Sequence, residues 1–388
     1  MPTKIAIVLP NLSIIGAQRV AIDYGSELAQ RGYKVTFLIK EKLSDLSLPV
    51  FQEAVVFDST IFCKIKFVRY IESAIKLLRI LRARKFDCVI SVTPNYNRLL
   101  GLFKLLKIMP SRLVIEDHAC PPDSYDDEFG KGLKRKWYEL SEIFYRSADT
   151  MRVLSDESET YYKSRHPNVH IIVQPNMMDL VRIKNASLNV PKYQPVKPFI
   201  FYVGRLVRQK DVQFLITAFN EASEYIPHDL IIVGYGPLKS KLVEQAKLTA
   251  ASNRIHFLEN SDSNYWYMKE AALFPMTSIW EGQGLTIIEA MVLGTPVVSL
   301  DFNAGPKYLI GDNERGIIVK ERSPSVFAKE LIELINNPDK AFSLASAASR
   351  FVSDEIDIKR NFHKYINSFL IRNTELINNE NNKSNCRR

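Results

Sequence analysis

SIWEGQGLTIIEAMVLGTPVVSLDFNAG, residues 278 to 305, sets two carboxylates, Glu281 and Glu289, on either side of a glycine-rich turn with seven residues between them. The turn runs into an apolar helical pattern. Such a turn places unpaired backbone N–H groups and the positive end of a helix dipole beside a carboxylate. Amides hold phosphate oxygens, carboxylates accept hydrogen bonds from hydroxyl groups, and each rejects the other's ligand on charge grounds. The combination suits a ligand that carries both phosphates and sugar hydroxyls, as a sugar nucleotide does. The plain alternative is a helix N-terminus with acidic residues, followed by a buried strand.

The residues Glu281, Gly282, Gly284, Leu285, Glu289, Ala290, Met291, Gly294, Pro296 and Val297 keep the spacing of a nucleotide-sugar signature. On them the chain resembles the family 4 retaining glycosyltransferases, of the bacterial surface-polysaccharide type. The resemblance implies the GT-B fold, an α/β architecture of two doubly wound Rossmann-like domains facing across a cleft, and retention at the anomeric carbon. Upstream, FIFYVGRLVRQKD from Phe199 matches the family's GR-then-K motif at Gly204, Arg205 and Lys210. In the family these two cations bind the donor diphosphate as it leaves. The physical reason is sound, because a departing nucleoside diphosphate builds negative charge that fixed cations stabilise. Arg forks onto phosphate oxygens and Lys adds a point charge.

The resemblance therefore implies roles residue by residue. Arg205 and Lys210 hold the diphosphate, Glu281 accepts sugar hydroxyls, and the backbone around Gly282, Gly284, Leu285 and Thr286 completes the phosphate cradle. Glu289 holds the ribose. No metal site and no cofactor are expected, since fixed cations take the place of a divalent ion in that scheme.

The first domain is read from the other end. Lys4 to Pro10 is a continuous apolar run typical of a buried parallel strand, a helical pattern follows from Gly16 through Gln30, and Val35 to Ile39 is the next strand. The chain thus opens as a βαβ unit. Its first turn, NLSIIGAQR, holds one glycine where the family has two, with Ile15 in the other's place, so Gly16 is either a donor contact or only a turn. Leu113 to Ile115 is a further strand that ends in Glu116, Asp117 and His118. Carboxyl ends of parallel strands line the ligand crevice of open α/β sheets. The family has a histidine near this place that contacts the transferred sugar, which nominates His118; the alternative is a structural hydrogen-bonder. The motif QPNMMD resembles the family's hinge and places Asn176 and Asp179 near the interdomain junction. Gly234 and Gly236 in GYGPLKSKL are explained equally well as turn residues.

Leu180 to Pro198 loses periodicity and collects prolines, so the domains are expected at residues 1–180 and 199–354 with a linker at 181–198. A helix at 355–372 is expected to cross back to the first domain. Residues 373–388 lack apolar content and read as a disordered tail. Pro121 to Gly130 is polar and turn-rich and reads as a mobile loop.

The net charge of +9 asks for an anionic partner. Ile61 to Arg112 carries twelve Lys or Arg against Glu72 and Asp87 alone, interleaved with aliphatic residues at helical spacing. That pattern fits a helix on an anionic membrane surface, and it equally fits a sheet-layer helix with a solvated basic face. Lys131, Lys134, Arg135 and Lys136 beside Trp137 and Tyr138 leave the same choice open. Nucleic acid is not expected, because the basic residues alternate with aliphatics and supply no stacking platform. Cys63, Cys88, Cys120 and Cys386 share no close spacing, so neither a disulfide framework nor zinc is indicated. MPTKIAIVLPNLS reads as a first strand, not a signal peptide, and no window is apolar for long enough to span a bilayer.

The expected protein is a cytoplasmic enzyme, peripheral on the inner face of the plasma membrane. It would move a hexose or N-acetylhexosamine from a nucleotide diphosphate sugar, expected to be UDP-linked, to a glycan or lipid-linked acceptor. The alternatives are a non-catalytic nucleotide-sugar-binding protein and a GT-B epimerase or phosphorylase.

Overall fold

The computed structural model describes residues 3–12, 16–41, 53–58, 66–118, 121, 124–125, 130, 132–196, 198–259, 263–302 and 305–369. They fall into two compact units: one gathers the described residues of Met1–His118, Lys131–Met178 and Ile358–Arg388, the other those of Ala119–Gly130 and Asp179–Asp357. The turn-rich segment 121–130 and the basic residues Lys64 and Lys131 lie largely or wholly outside the described residues, as does the tail 373–388.

The first unit is built on seven parallel strands: β1 (Lys4–Leu9), β2 (Lys34–Ile39), β3 (Glu53–Val56), β4 (Cys88–Ser91), β5 (Arg112–Glu116), β6 (Thr150–Val153) and β7 (His170–Val173). Their order across the sheet is β3-β2-β1-β4-β5-β6-β7, so the chain reverses its direction of travel between β1 and β4. The central strands are mostly apolar because helices cover both faces, with Glu116 of β5 and Arg152 of β6 as buried charged exceptions. Those helices include α1 (Gly16–Gln30), α2 (Lys66–Arg84), α3 (Pro94–Leu105), α4 (Leu133–Ser141) and α5 (Asp156–Arg165). Helix α1 sits so close to the sheet that a Cβ on Gly25 would stand 2.4 Å from the Phe37 ring. Helix α2 turns Leu77 and Leu81 into the core, with Ala74, Leu78 and Ile80 partly buried beside them. This is the packing of a sheet-layer helix, but its other side leaves Val68, Tyr70, Ile71 and Ile75 exposed.

The stretch read as linker begins as a helix, α6 (Leu180–Ala186), because Asp179 Oδ1 accepts from the Arg182 backbone N–H at 3.1 Å and so caps its start. Seven residues are too few for a strong periodic signal, which is why the pattern was not visible. The second unit then holds β8 (Phe199–Val203), β9 (Asp229–Val233), β10 (Ile255–Leu258), β11 (Phe274–Met276), β12 (Val297–Leu300) and β13 (Ile317–Val319). They pair in parallel as β10-β9-β8 and β11-β12-β13. An Ile200–Leu273 bridge joins the two halves, with the Phe201 N–H donating to the Leu273 carbonyl at 3.2 Å. The continuous order β10-β9-β8-β11-β12-β13 is again doubly wound, reversing between β8 and β11.

The helices of this unit are α7 (Val212–Ala222), α8 (Lys239–Lys247), α9 (Asn264–Glu270), α10 (Leu285–Leu293), α11 (Pro306–Ile310), α12 (Pro324–Asn336) and α13 (Pro338–Phe351). Helix α10 is central: Ile287, Ile288, Ala290, Met291 and Val292 are all buried. It ends at Gly294, in the left-handed region at φ 76°, where the Thr295 N–H closes onto the Ala290 carbonyl at 2.9 Å. The GTP segment of the signature is therefore a helix stop that turns the chain into β12.

The last helix, α14 (Ile358–Phe369), belongs to the first unit. Its Phe362 and Tyr365 pack on Tyr24 of α1, with the Tyr24 and Tyr365 ring centroids 4.4 Å apart.

Candidate functional site

In the second unit, two loops leave the carboxyl ends of the strands that flank the reversal of strand order, which is where doubly wound sheets receive ligands. One follows β8 and carries Gly204, Arg205 and Lys210. The other follows β11 and carries Ser278 to Gly284. They are stitched together by the backbone and by side chains that the sequence did not nominate. The Ile279 N–H donates to the Gln209 carbonyl at 2.8 Å, and Thr277 Oγ1 donates to the carbonyls of Lys210 and Asp211 at 3.1 and 3.2 Å. Gln209 is buried between them. Its Oε1 accepts from Arg205 Nη2 at 2.9 Å and its Nε2 donates to the Trp280 carbonyl at 3.0 Å. Arg205 itself is exposed, so a buried amide steers an exposed guanidinium.

Lys210 and Glu281 meet directly as an ion pair, each side chain about one-eighth exposed (13% and 12%). Ser278 Oγ donates to the same Glu281 oxygen at 2.7 Å. Behind them Asp211 adopts a left-handed backbone, φ 43°, unusual for a residue with a side chain. Its carboxylate caps α7 through the Phe214 N–H and pairs with Arg322 Nη1 at 2.7 Å, while Arg322 Nη2 donates to the Ser278 carbonyl at 2.7 Å. Burial pushes the Asp211 carboxyl above its ordinary value, and Arg322 opposes that shift. Backbone strain held by surrounding contacts is typical of functional loops.

The glycines have separate reasons. A Cβ on Gly204 would lie 2.7 Å from the Tyr202 hydroxyl, and one on Gly234 would lie 2.0 Å from the Gly204 carbonyl oxygen. A Cβ on Gly236 would lie 2.3 Å from the Leu206 carbonyl oxygen. Thus the GYG turn after β9 is bare so that the Arg205 loop can lie against it, joined by the Leu206 N–H to the Tyr235 carbonyl at 2.8 Å. Gly284 sits at φ 81° as the cap of α10 and offers no side chain there. The first N–H groups of that helix, at Leu285 and Thr286, have no carbonyl one turn earlier in the helix to bond. Glu289, one turn on, accepts from the Tyr265 hydroxyl at 2.7 Å. Burial first, then the negative charge of Glu289, raises the Tyr265 phenol, and Arg182 opposes the rise. Gly204, Arg205, Lys210, Glu281, Gly282, Gly284, Leu285, Thr286 and Glu289 therefore all stand on the loops and helix start at one end of this sheet.

His118 and Gly16 belong to the first unit. Gly16 is the exposed first residue of α1 at φ 58°, a position at which a turn alone explains glycine; Ile15 lies outside the described residues. His118 is held by Glu116, its Nε2 lying 3.0 Å from Glu116 Oε2. Glu116 is fully buried, which by itself raises a carboxyl, yet Arg152, His118 and Tyr365 hold it down at about 2. Arg152 Nη1 reaches Glu116 Oε2 at 3.0 Å, and the same guanidinium donates to the Gln174 carbonyl, Tyr24 Oη and Asn176 Oδ1. Tyr365 Oη donates to Glu116 Oε1 at 2.7 Å. Since Glu116 is ionised, His118 Nε2 carries the proton of that bond. His118 Nδ1 is buried and has no hydrogen-bond partner among the described residues. Asn176, expected near a junction, is here a buried acceptor of this network. Among the described residues no three His, Cys, Asp or Glu side chains gather as metal ligands would.

Comparison with known proteins bears on the whole chain. Residues 14–182 match the model described as Glycosyltransferase Family 4, and residues 186–351 match the model described as Glycosyl transferases group 1. An uncharacterized glycosyltransferase of Methanocaldococcus jannaschii is 31% identical over 252 residues, 61% of this chain and 60% of the relative, so the chain spans less than two thirds of that protein. An N-acetylgalactosamine-N,N'-diacetylbacillosaminyl-diphospho-undecaprenol 4-alpha-N-acetylgalactosaminyltransferase of Campylobacter jejuni is 26% identical over 309 residues, covering 78% of this chain and 82% of the relative. Among solved structures, Anabaena HepE in complex with UDP and glucose superposes with a TM-score of 0.75 at 19% identity, covering 95% of this chain and 100% of that one, and shares the GT-B fold. With the two matches running from residue 14 to residue 351 and only residues 183–185 between them, the chain belongs to the family 4 glycosyltransferases.

Proposed function

We propose that the chain is a retaining, metal-independent glycosyltransferase that moves a hexose or N-acetylhexosamine from a UDP-sugar to a glycan or lipid-linked acceptor in cell-surface polysaccharide synthesis. The observation that carries the reading is the Lys210–Glu281 contact beside Arg205, at the carboxyl end of β8 and β11. It puts two cations and one carboxylate within one side chain's reach, which is what a donor with a diphosphate next to a sugar demands.

In this reading Arg205 and Lys210 take the diphosphate oxygens and offset the charge that grows as the glycosidic bond breaks. The N–H groups at Leu285 and Thr286, with the dipole of α10 behind them, add to the cradle. Glu281, anchored by Ser278, accepts from sugar hydroxyls, and Glu289 accepts from the ribose. Gly204, Gly282 and Gly284 let the donor approach the backbone. His118, its Nε2–H committed to Glu116, is the residue of the first unit that this reading assigns to the transferred sugar. No cofactor is required, and the acceptor binds the first unit. The names of the Campylobacter relative and the Anabaena structure support a lipid-diphosphate acceptor and a UDP-linked donor. Among the described residues no helix is long and apolar enough to cross a membrane; in this reading the chain works peripherally on the inner face of the plasma membrane.

The test is a thermal-shift panel of UDP-, GDP- and ADP-sugars on the wild type, Arg205→Ala and Glu281→Ala, followed by NMR of the anomeric proton in the product. Stabilisation by UDP-sugars, lost in both variants, and a product of unchanged anomeric configuration are expected. Stabilisation by none of the panel, or an inverted product, would overturn the reading.

A further inference from the structure

Arg98 stands in the second turn of α3, the helix that follows β4, on the side of the sheet reversal where a doubly wound unit takes its ligand. The residue is only 6% exposed. Its guanidinium lies 4.1 Å from the centre of the Tyr138 ring, and its Nε donates to Ser141 Oγ at 2.7 Å. Ser141 Oγ in turn donates to the Tyr138 carbonyl at 2.7 Å, so the plane of the guanidinium is fixed. Nη1 and Nη2 are buried and have no hydrogen-bond partner among the described residues. Four of its five N–H donors are thus unmade, and each such donor costs roughly 1–3 kcal/mol. Buried donors left in this state call for a reason, and an anionic ligand is one that also satisfies the charge. A rigid fork with two free nitrogens matches two oxygens of a phosphate.

A second observation lies on the helix that holds Arg98 in place. Helix α4 supplies Tyr138 and Ser141, yet it turns its apolar stripe outward: Leu133 is 87% exposed, Trp137 61% and Leu140 70%, spaced by four and then three residues. Ile143, 42% exposed, continues the stripe, and Lys134 and Lys136 are exposed beside it. A soluble helix ordinarily turns such a stripe to the core. Facing outward between cations, it suits hydrocarbon chains beneath a layer of negative charge.

We propose that the first unit binds a phosphorylated lipid: Arg98 takes the phosphate oxygens and the Leu133–Trp137–Leu140 face takes the hydrocarbon. This deepens the acceptor part of the proposed function and rests on it, because the phosphate is that of the lipid bearing the growing glycan. The membrane face accordingly moves from the basic stretch 61–112 to α4, with Arg98 beneath it.

The test is calorimetric titration of farnesyl diphosphate, farnesol and inorganic diphosphate into the wild type, Arg98→Met, Arg98→Lys, Trp137→Ser and Arg205→Ala. With the donor site blocked by excess UDP, farnesyl diphosphate is expected to bind the wild type and Arg205→Ala alike, and about ten-fold or more weakly to Arg98→Met, the loss of one charge-assisted contact. Arg98→Lys should recover part of the affinity, and Trp137→Ser should weaken farnesyl diphosphate but not inorganic diphosphate. Melting temperature should hold or rise in Arg98→Met, since a costly buried charge is gone. Equal affinity in Arg98→Met, or an equal loss for farnesol, would overturn the proposal. So would a lower melting temperature with Arg98→Lys no better than Arg98→Met. Phosphatidylglycerol vesicles separate acceptor from headgroup: co-sedimentation should fall in Trp137→Ser and persist in Arg98→Met, and the reverse pattern would assign Arg98 to bilayer lipid and overturn it. Failure of the glycosyl-transfer reading shows separately, as absent UDP binding in the same samples.

Discussion

Replacing Arg152 with methionine should destabilise the first unit by about 3–5 kcal/mol at neutral pH, the usual cost of leaving one partner of a buried ion pair alone. The size follows from Glu116. Its carboxyl is held at about 2 against an ordinary 4.5, and a depression of that extent corresponds to about 3 kcal/mol of stability. The folded-state value is lowered, so this stability is present above pH 4.5 and is lost as the pH falls toward 2. In Arg152→Met the order of causes changes: burial, the largest influence on Glu116, still raises its carboxyl, while only His118 and Tyr365 remain to oppose it. The variant's Glu116 should then hold its proton more tightly when folded than when unfolded. The gap between wild type and variant is therefore expected to shrink steadily from pH 7 to pH 4. Urea titrations at several pH values, with hydrogen exchange of the β5 and α14 peptides to localise the effect, measure it. A cost below about 1 kcal/mol, or one that does not change with pH, would refute this account of how α14 and β6 are tied to β5. Glu116→Gln combined with Arg152→Met should return much of the loss, because no lone charge remains buried.

Gly236→Ala should lower the melting temperature and remove nucleotide binding together, since its Cβ would stand 2.3 Å from the Leu206 carbonyl oxygen and displace the Arg205 loop; an unchanged melting curve and UDP affinity would argue against the stitched-loop picture. Glu289→Gln should weaken UDP by about ten-fold, as expected for a hydrogen bond to a charged acceptor, and erase any preference for UDP over its 2′,3′-dideoxy analogue, read by calorimetry. Transfer activity should persist in excess EDTA with no gain on adding magnesium or manganese, as assayed by release of free nucleotide; abolition by the chelator would require a metal in the scheme.

The alternation of apolar runs and amphipathic stretches was enough to read a βαβ opening and a second α/β unit, because buried parallel strands such as KIAIVL and FIFYV announce themselves by composition, whereas the doubly wound order of both units was implied by the family resemblance. Helix α6 was missed because seven residues carry too little period, and β3 because EAVV is short and largely exposed. At the two stitched loops of the second unit, sequence motifs named Arg205, Lys210, Glu281 and Glu289 but not Gln209, Ser278, Tyr265 or Arg322. Those four act by position: Gln209 lies between two motif residues, while Arg322 is 111 residues from the Asp211 it pairs with, and no local spacing predicts such a contact. The Glu116–Arg152 pair was hidden for the same reason, though a charged residue within each of two short strands was a signal that could have been read. Arg98 looked like one more member of a basic stretch, and only its burial separates it from the rest.

The account stands on a diphosphate grip by Arg205 and Lys210, and the preference for UDP over UMP measures it most directly. Calorimetry on the wild type should show UDP binding at least about ten-fold tighter than UMP, one charge-assisted contact's worth of affinity. In Arg205→Ala combined with Lys210→Ala that preference should vanish while UMP affinity is kept. A double variant that still favours UDP by the wild-type ratio would place the diphosphate elsewhere and contradict the account.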